Sequence, residues 1–513
     1  MKTNHISIFL SLIALMATFS GCDLLDTPVP VNIGADEFWK TESDAQRAMT
    51  ACYTVALDEY YYSHNTQIFD CISDDLYRAG DWAVDAQIET LNPQADDGEV
   101  LGNLWINGYE GIKRVNDILN HVPGMDAVSE PAKTYMLGQA YFLRAFHYWR
   151  LVLTFGGVPL IDEALLPSEY NQPRASKDDT YNFIIEDLKK ATTMLPAQWD
   201  SENLGRPVQG AAWGMLARMY LYLEQWDDVD AAAKEVMNGP YTLTPAYIDN
   251  FRIVNDVSEN MFVIRFIKTP GGYDPLLSTY FYPHSFYGWN FFHPEQSLID
   301  EYEYLDGTPG RKIRFNKADE NIPFTYVDDG SPVDWDVEFS LRDTRLRATV
   351  YPVGEEHRIG NETLSLKNEN TMTGYGCYKY FEDGKSESTA NMHYPIVRLA
   401  DVYLMRAEAL IRKNGPNAVS DGLVNDIRTR AGLTRMLSNC TLDDIIHERR
   451  CELAIEGHRH FDLVRWGLAR QVYAVDNGLD GPRNFIVGKH EVMPVPQAQI
   501  DLSGGVLVQN NNY

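Results

Sequence analysis

Apolar residues recur at three- and four-residue steps over two long blocks of the chain, about 43–238 and 395–473. In the first block, stripes bounded by Pro, Gly or capping residues predict helices at 43–57, 101–121, 132–153, 177–195, 208–223 and 226–237. The second block predicts helices at 396–412, 419–431, 442–456 and 459–473. Between the blocks, from about 240 to 394, the helical period is lost. Pro, Gly, Asn, Asp and aromatics cluster there, and alternating runs at 261–267 and 349–353 predict short strands. The pattern is a mainly α scaffold carrying a loop- and strand-containing variable insert. Binding residues favour such loops on rigid scaffolds.

The helical blocks also repeat a motif. Tyr141-Phe-Leu-Arg-Ala145 followed by Tyr148 aligns with Tyr403-Leu-Met-Arg-Ala407 followed by Leu410. Trp213-Gly-Met-Leu-Ala217 followed by Tyr220 fits the same template. An aromatic, a small Ala four residues on and a large residue three further share one helical face, which lets a partner helix approach closely. That is the packing logic of tetratricopeptide-like helix pairs. The copies are unevenly spaced, so a regular array is not expected.

The N-terminus reads differently. Lys2 and His5 precede an apolar run at 6–19 that ends in Ser20-Gly21-Cys22, the layout of a secretory signal peptide. The run falls short of the roughly 20 residues that span a bilayer. Small residues directly before a Cys resemble a bacterial lipoprotein signal, which implies removal of residues 1–21 and acylation (palmitate or a similar chain) of Cys22. Residues 23–31, with Pro28 and Pro30, read as an extended tether. No later segment approaches eighteen apolar residues, so the expectation is a chain anchored to a membrane rather than embedded in it. Cys52, Cys71, Cys377, Cys440 and Cys451 form no C-x-x-C pair and read as small buried hydrophobes.

Composition narrows the function. The 513 residues carry 44 Lys plus Arg against 73 Asp plus Glu, a net charge of −29. That field repels phosphate backbones and excludes nucleic acid as a partner, leaving neutral or cationic ligands. The densest charged stretch, 445–457, contains His447-Glu448-x-x-Cys451, a superficial likeness to the H-E-x-x-H zinc helix. Arg449 and Arg450 instead favour an ion-pair network, with Glu448, Glu452 and Glu456 expected on one helical stripe. The acidic stretch 328–336 reads as a solvated turn. G-x-S-x-G, Walker A and G-x-G-x-x-G motifs are absent. No metal, cofactor or catalytic group is expected, and the chain does not read as an enzyme. So many acids nonetheless make some close carboxylate pair inevitable, so a glycosidase stays open as a remote alternative.

Aromatics are the stronger signal: 30 Tyr, 21 Phe and 10 Trp. The run Tyr280-Phe-Tyr282-Pro-His284-Ser-Phe-Tyr287-Gly-Trp289-Asn290-Phe-Phe292 sits inside the insert. Flat rings stack on the C–H face of a sugar, while amides and carboxylates bond its hydroxyls. Trp82, Tyr287 and Trp289 are the candidate stacking residues, and Asp81 and Asn290 the candidate hydrogen-bonding ones. Most of the remaining rings are expected in the core.

Further segments carry a family resemblance. They include Cys22-Asp-Leu-Leu-Asp26, Phe155-Gly-Gly-Val-Pro159-Leu, Asp343-x-Arg345, Lys379-Tyr380 and Pro395-Ile-Val-Arg398-Leu-Ala-Asp401-Val-Tyr403. Val424-Asn-Asp-Ile-Arg428, Glu448 to Glu456, Arg459 to Gly467, Pro494-Val-Pro496 and the end Gln509 to Tyr513 follow in order. Over nearly its whole length the chain resembles the SusD-like (RagB/SusD) outer-membrane lipoproteins. The resemblance implies one α-rich domain over 22–513 with four tetratricopeptide-like pairs, lipid anchoring at Cys22 and display at the outer-membrane surface. It implies capture of oligosaccharides or polysaccharides for a SusC-like TonB-dependent transporter. The ligand site lies in the family's variable segments, and Asp81-Trp82 occupies a place where the family can present a stacking aromatic. Capture of peptide or another nutrient, and a tetratricopeptide scaffold with no ligand of its own, remain the alternatives.

Overall fold

The computed structural model describes residues 38–79, 87–253, 258–268, 277–315, 325–327, 330–386, 388–476, 479 and 481–513. The expected signal peptide, Cys22 and the expected tether lie outside the described residues, as do Asp81 and Trp82. Among the described residues, no helix is long and apolar enough to cross a membrane.

The scaffold helices are α1 (Glu42–Thr54), α2 (Asn65–Ile72), α3 (Leu101–His121), α4 (Glu130–Phe155), α5 (Lys177–Met194), α6 (Gln209–Tyr222) and α7 (Trp226–Met237). After the insert come α8 (Leu399–Asn414), α9 (Ala418–Arg430), α10 (Leu442–Leu453), α11 (Arg459–Arg465), α12 (Ala469–Tyr473) and α13 (Gln497–Leu502). Helices α3 to α7 each pack on the next, and α8 packs on α6, α7, α9 and α10, so the second block continues the stack begun by the first.

The repeat explains this packing. Ala145, Ala217 and Ala407 are all fully buried. The arginine preceding the alanine binds across to another helix in two of the copies. Arg144 reaches Asp187 of α5 through Nε at 2.6 Å and Nη2 at 2.8 Å, and Arg406 reaches Asp230 of α7 at 2.8 Å. The close approach of α3 and α4 depends on Gly111, where a Cβ would stand 2.3 Å from the His147 ring.

Three helical expectations need correction. Residues 396–398 are not helical: Met392–Arg398 is a fully buried strand, and the helix starts at Leu399 after an extended Arg398. Pro395 just before them cannot donate to a helix, and the segment's backbone bonds go to a partner strand instead. The 459–473 helix breaks in two, with Gly467 at φ +74 ending the first piece. The 442–456 helix stops at Leu453, where Ala454 is extended and Ile455 left-handed at φ +60. Glu456 therefore leaves the stripe shared by Glu448 and Glu452 and returns from the side.

Strands are β1 (Leu76–Arg78), β2 (Asn260–Phe266), β3 (Phe292–Pro294), β4 (Ile313–Phe315), β5 (Thr325–Val327), β6 (Val350–Pro352), β7 (Glu356–Ile359), β8 (Glu362–Ser365), β9 (Tyr375–Cys377) and β10 (Met392–Arg398). They form antiparallel two-stranded ribbons, β1 with β3, β2 with β10, β4 with β5, β6 with β9 and β7 with β8. The β2–β10 ribbon, register Tyr394↔Ile264, closes the insert and ties its two ends to the scaffold. The insert also holds short helices that its sequence pattern did not signal, Leu277–Phe281, Gln296–Glu301, Trp335–Leu341 and Thr344–Thr349. Asp334 of the expected acidic turn caps one of them by accepting from the Val337 N–H.

An Arg–carboxylate network joins the insert to α9 and α10. Arg398 reaches Glu259 at 3.0 Å, Glu452 at 2.5 Å and Glu456 at 2.7 Å. Arg345 binds Asp343, Glu448 and Glu452, Arg428 binds Glu448, and Arg430 binds Glu259 and Glu452. The charged stretch thus holds the fold together, as its arginines suggested. His447 Nδ1 meets Glu301 at 2.6 Å, and no cluster of ligands suited to a metal occurs among the described residues. Cys52, Cys71, Cys377, Cys440 and Cys451 are buried free thiols.

Candidate functional site

The β1–β3 ribbon lays the segment that ends at Ala79 along the end of the aromatic run. Its register pairs Tyr77 with His293 and Arg78 with Phe292, and the Ala79 N–H then donates to the Phe291 carbonyl at 2.7 Å. The chain therefore leaves Ala79 beside the end of the aromatic run. Asp81 and Trp82 follow two and three residues later in the sequence.

Most of the aromatic run is core, as expected of large rings. Tyr280, Phe281, Tyr282, Phe286 and Phe292 are buried. Tyr287 and Trp289 are the exceptions, 58% and 42% exposed. The backbone explains the split. The Trp289 N–H donates to Thr279 O at 2.8 Å, Asn290 N–H to Tyr282 O at 2.9 Å and Phe291 N–H to Tyr280 O at 2.9 Å, folding the loop back over its own helix. Tyr287 and Asn290 both lie in the left-handed region, at φ +67 and +61. Asn tolerates that conformation, whereas for Tyr it costs on the order of 1 kcal/mol and is held only by the surroundings.

Between them, Gly288 has no room for a side chain, since a Cβ would lie 2.1 Å from the Tyr282 carbonyl oxygen. Gly288→Ala is expected to displace the loop and destabilise the protein by about 1–3 kcal/mol, read as a lowered urea midpoint. An unchanged midpoint would show that the loop yields freely.

Each exposed ring is steadied from below or beside. Trp289 meets Tyr280 edge to face, centroids 5.0 Å apart and planes at 89°. Tyr280 in turn donates its hydroxyl to Glu59 at 2.5 Å. The Tyr287 hydroxyl donates to Glu362, on β8, at 2.5 Å. Beside that carboxylate the phenol's proton is held more tightly, which raises its pKa. His293 accepts the Met372 N–H at Nδ1, so in the neutral ring Nε2 carries the proton and donates to Asn290 Oδ1 at 3.0 Å. The Asn290 carbonyl is thereby used internally. Its NH₂ is the part of the side chain suited to a ligand oxygen.

The arrangement is a preorganised, open aromatic face with polar groups at its edge. Sequence reasoning placed Tyr287, Trp289 and Asn290 here but missed Glu59, Tyr280 and Glu362 as their supports. Glu59 and Glu362 lie 221 and 75 residues from the tyrosines they hold, so no local pattern links them. A cleft of about 800 Å³ opens elsewhere, between α3, the 159–172 loop and α13, lined by Trp105, Tyr109, Tyr170 and Leu502 among others. It shares no residue with the aromatic loop, and flat stacking on a ring needs no cavity.

Residues 267–513 match the model of the SusD family, and residues 34–221 match a model described as starch-binding associating with outer membrane. SusD-like protein P2 of Formosa agariphila is 25% identical, covering 98% of this chain and 99% of its own. Starch-binding protein SusD of Bacteroides thetaiotaomicron is 28% identical, over 79% of this chain and 77% of its own. A solved laminarin-binding SusD-like protein superposes with TM-score 0.71 and 25% identity, over 92% of this chain and 100% of that one.

Proposed function

Because the chain belongs to the SusD family, we propose that it binds oligosaccharides or polysaccharides at the cell surface on the Tyr287–Trp289 face. Binding there serves delivery to a SusC-like TonB-dependent transporter. The observation that carries this reading is the pair of rings left exposed by a strained, internally bonded loop whose other aromatics are buried or, for Phe291, half-buried. Stacking on such rings, with Asn290 and the further candidates Asp81 and Trp82 as contacts, suits a ligand that must be held and then released. Starch and laminarin, named for two relatives, are polymers of that kind.

The same reading takes residues 1–21 as a removed signal peptide and 22–513 as one domain. Cys22 carries the lipid that anchors the protein to the outer membrane, and the insert at about 240–394 carries the ligand face. The protein binds its sugar and leaves it intact.

Calorimetry against a glycan panel that includes laminarihexaose tests the site. Trp289→Ala and Trp82→Ala are each expected to weaken binding about five- to thirtyfold, since a stacked Trp contributes roughly 1–2 kcal/mol. Equal affinity in both variants would move the site elsewhere, binding to no glycan would favour a scaffold or peptide reading, and release of free sugar would sink the binding reading. Co-purification with a SusC-like barrel tests the partnership, and palmitate labelling lost in Cys22→Ala tests the anchor.

A further inference from the structure

The supports of the aromatic face have a charge. Tyr287 is held by the exposed carboxylate of Glu362, and Tyr280, under Trp289, by Glu59. Asp58, beside Glu59, is exposed. Below the loop, the Tyr282 hydroxyl donates to the carbonyl of Glu382, which is followed by Asp383.

Among the described residues, the nearby cations do not offset this. Arg78 is buried against Glu89. Arg358 lies on the hairpin that carries Glu362, but the register pairs Ile359 with Glu362 and Arg358 with Thr363, so Arg358 belongs to the opposite face. Its Nε donates to Gly360 O, and its N–H to Asp383. Lys385 shares a turn with Glu382 and Asp383, which leaves that turn net negative.

We propose that the ligand of this face is a glycan without carboxylate or sulfate groups, and that Glu362 is a residue that enforces the exclusion. This rests on the glycan-binding reading above and narrows it. A sugar ring stacked on Tyr287 brings its substituents within a few ångströms of Glu362. A hydroxyl there can donate to the carboxylate. A ligand carboxylate or sulfate can only repel it, in a field already negative over the whole protein.

The test is calorimetry on the intact protein at 50 mM and 500 mM NaCl. The probes are laminarihexaose and other neutral hexasaccharides, hexagalacturonate, and a sulfated hexasaccharide. Neutral probes are expected to bind, with the acidic ones weaker by about tenfold or more at low salt and less so at high salt, where screening shortens the field's reach to about 4 Å. Glu362→Gln is expected to move the two classes in opposite directions, lowering neutral affinity about threefold and raising acidic affinity by a similar factor. A merely structural role would weaken both together. An acidic probe that binds as well as the best neutral one, or a gap unchanged by both salt and Glu362→Gln, overturns the inference and leaves glycan binding standing. Binding of no probe at all overturns the glycan-binding reading itself, and the inference with it.

Discussion

Arg398→Ala is expected to destabilise the protein by about 3–5 kcal/mol, measured as the shift of its urea unfolding midpoint. Arg398 is 2% exposed and answers three carboxylates, Glu259, Glu452 and Glu456, besides donating to the Glu452 carbonyl at 2.6 Å. Burial alone would push the Glu452 carboxyl up, yet Arg430, Arg398 and Arg345 hold it well below the ordinary range. Removing one of these arginines leaves buried negative charge facing the remaining carboxylates with too few partners. Arg398→Lys is expected to recover only part of the loss, because an ammonium cannot reproduce the fork that spans Glu452 and Glu456. A cost below about 1 kcal/mol for Arg398→Ala would mean that Arg345, Arg430 and Lys379 carry the network without it.

Acid is expected to destabilise the protein already between pH 6.5 and pH 4.5, above the usual range of an exposed carboxylate. Burial pushes the imidazoles of His147 and His460 down to about 3, and those of His357, His393 and His458 down to about 4, from the usual 6.5. A histidine depressed in the folded state binds its proton more readily when unfolded. The stability it contributes is complete above pH 6.5 and is lost as pH falls from 6.5 toward 3–4. At pH 5 each fully buried ring costs about 2 kcal/mol, so five together cost on the order of 5–10 kcal/mol.

Asp70 works against this trend. Burial and then the neighbouring Asp75 raise its carboxyl, so it stabilises the fold as pH falls. Below pH 4 the loss steepens. Glu301, which burial alone would raise, is held down at about 2 by its bond to His447 and by Arg450. The contribution of its ionised carboxyl is fully present above about pH 4.5 and disappears toward 2. Urea midpoints measured from pH 8 to pH 4.5 check the prediction, and a midpoint flat across that range would contradict it.

The helical scaffold was legible because helices bury a stripe at a fixed period. The 101–121 and 226–237 helices match their observed ends, and those expected at 132–153, 177–195, 208–223 and 419–431 differ by a residue or two. The errors fall where a long-range partner outbids the local pattern. Residues 396–398 pair with β2, and the backbone turn at Ile455 delivers Glu456 to Arg398 and Lys379. The insert's ribbons are three to seven residues long and pair across many intervening residues, so alternation alone revealed two of their strands.

The sequence by itself determined the class of the protein: a mainly α scaffold, a net charge of −29 and an aromatic-rich insert. It also carried the ordered motifs of the SusD family, which the family models match. Only the tertiary structure decided which rings of that insert face solvent. Eight aromatics in one run are equivalent to a reader of sequence, since each gains by burial. The loop's bonds to Thr279, Tyr280 and Tyr282, and the lack of space at Gly288, bury five of them and turn Tyr287 and Trp289 outward. The carboxylates that hold those two rings come from distant segments and meet them only when the chain is folded.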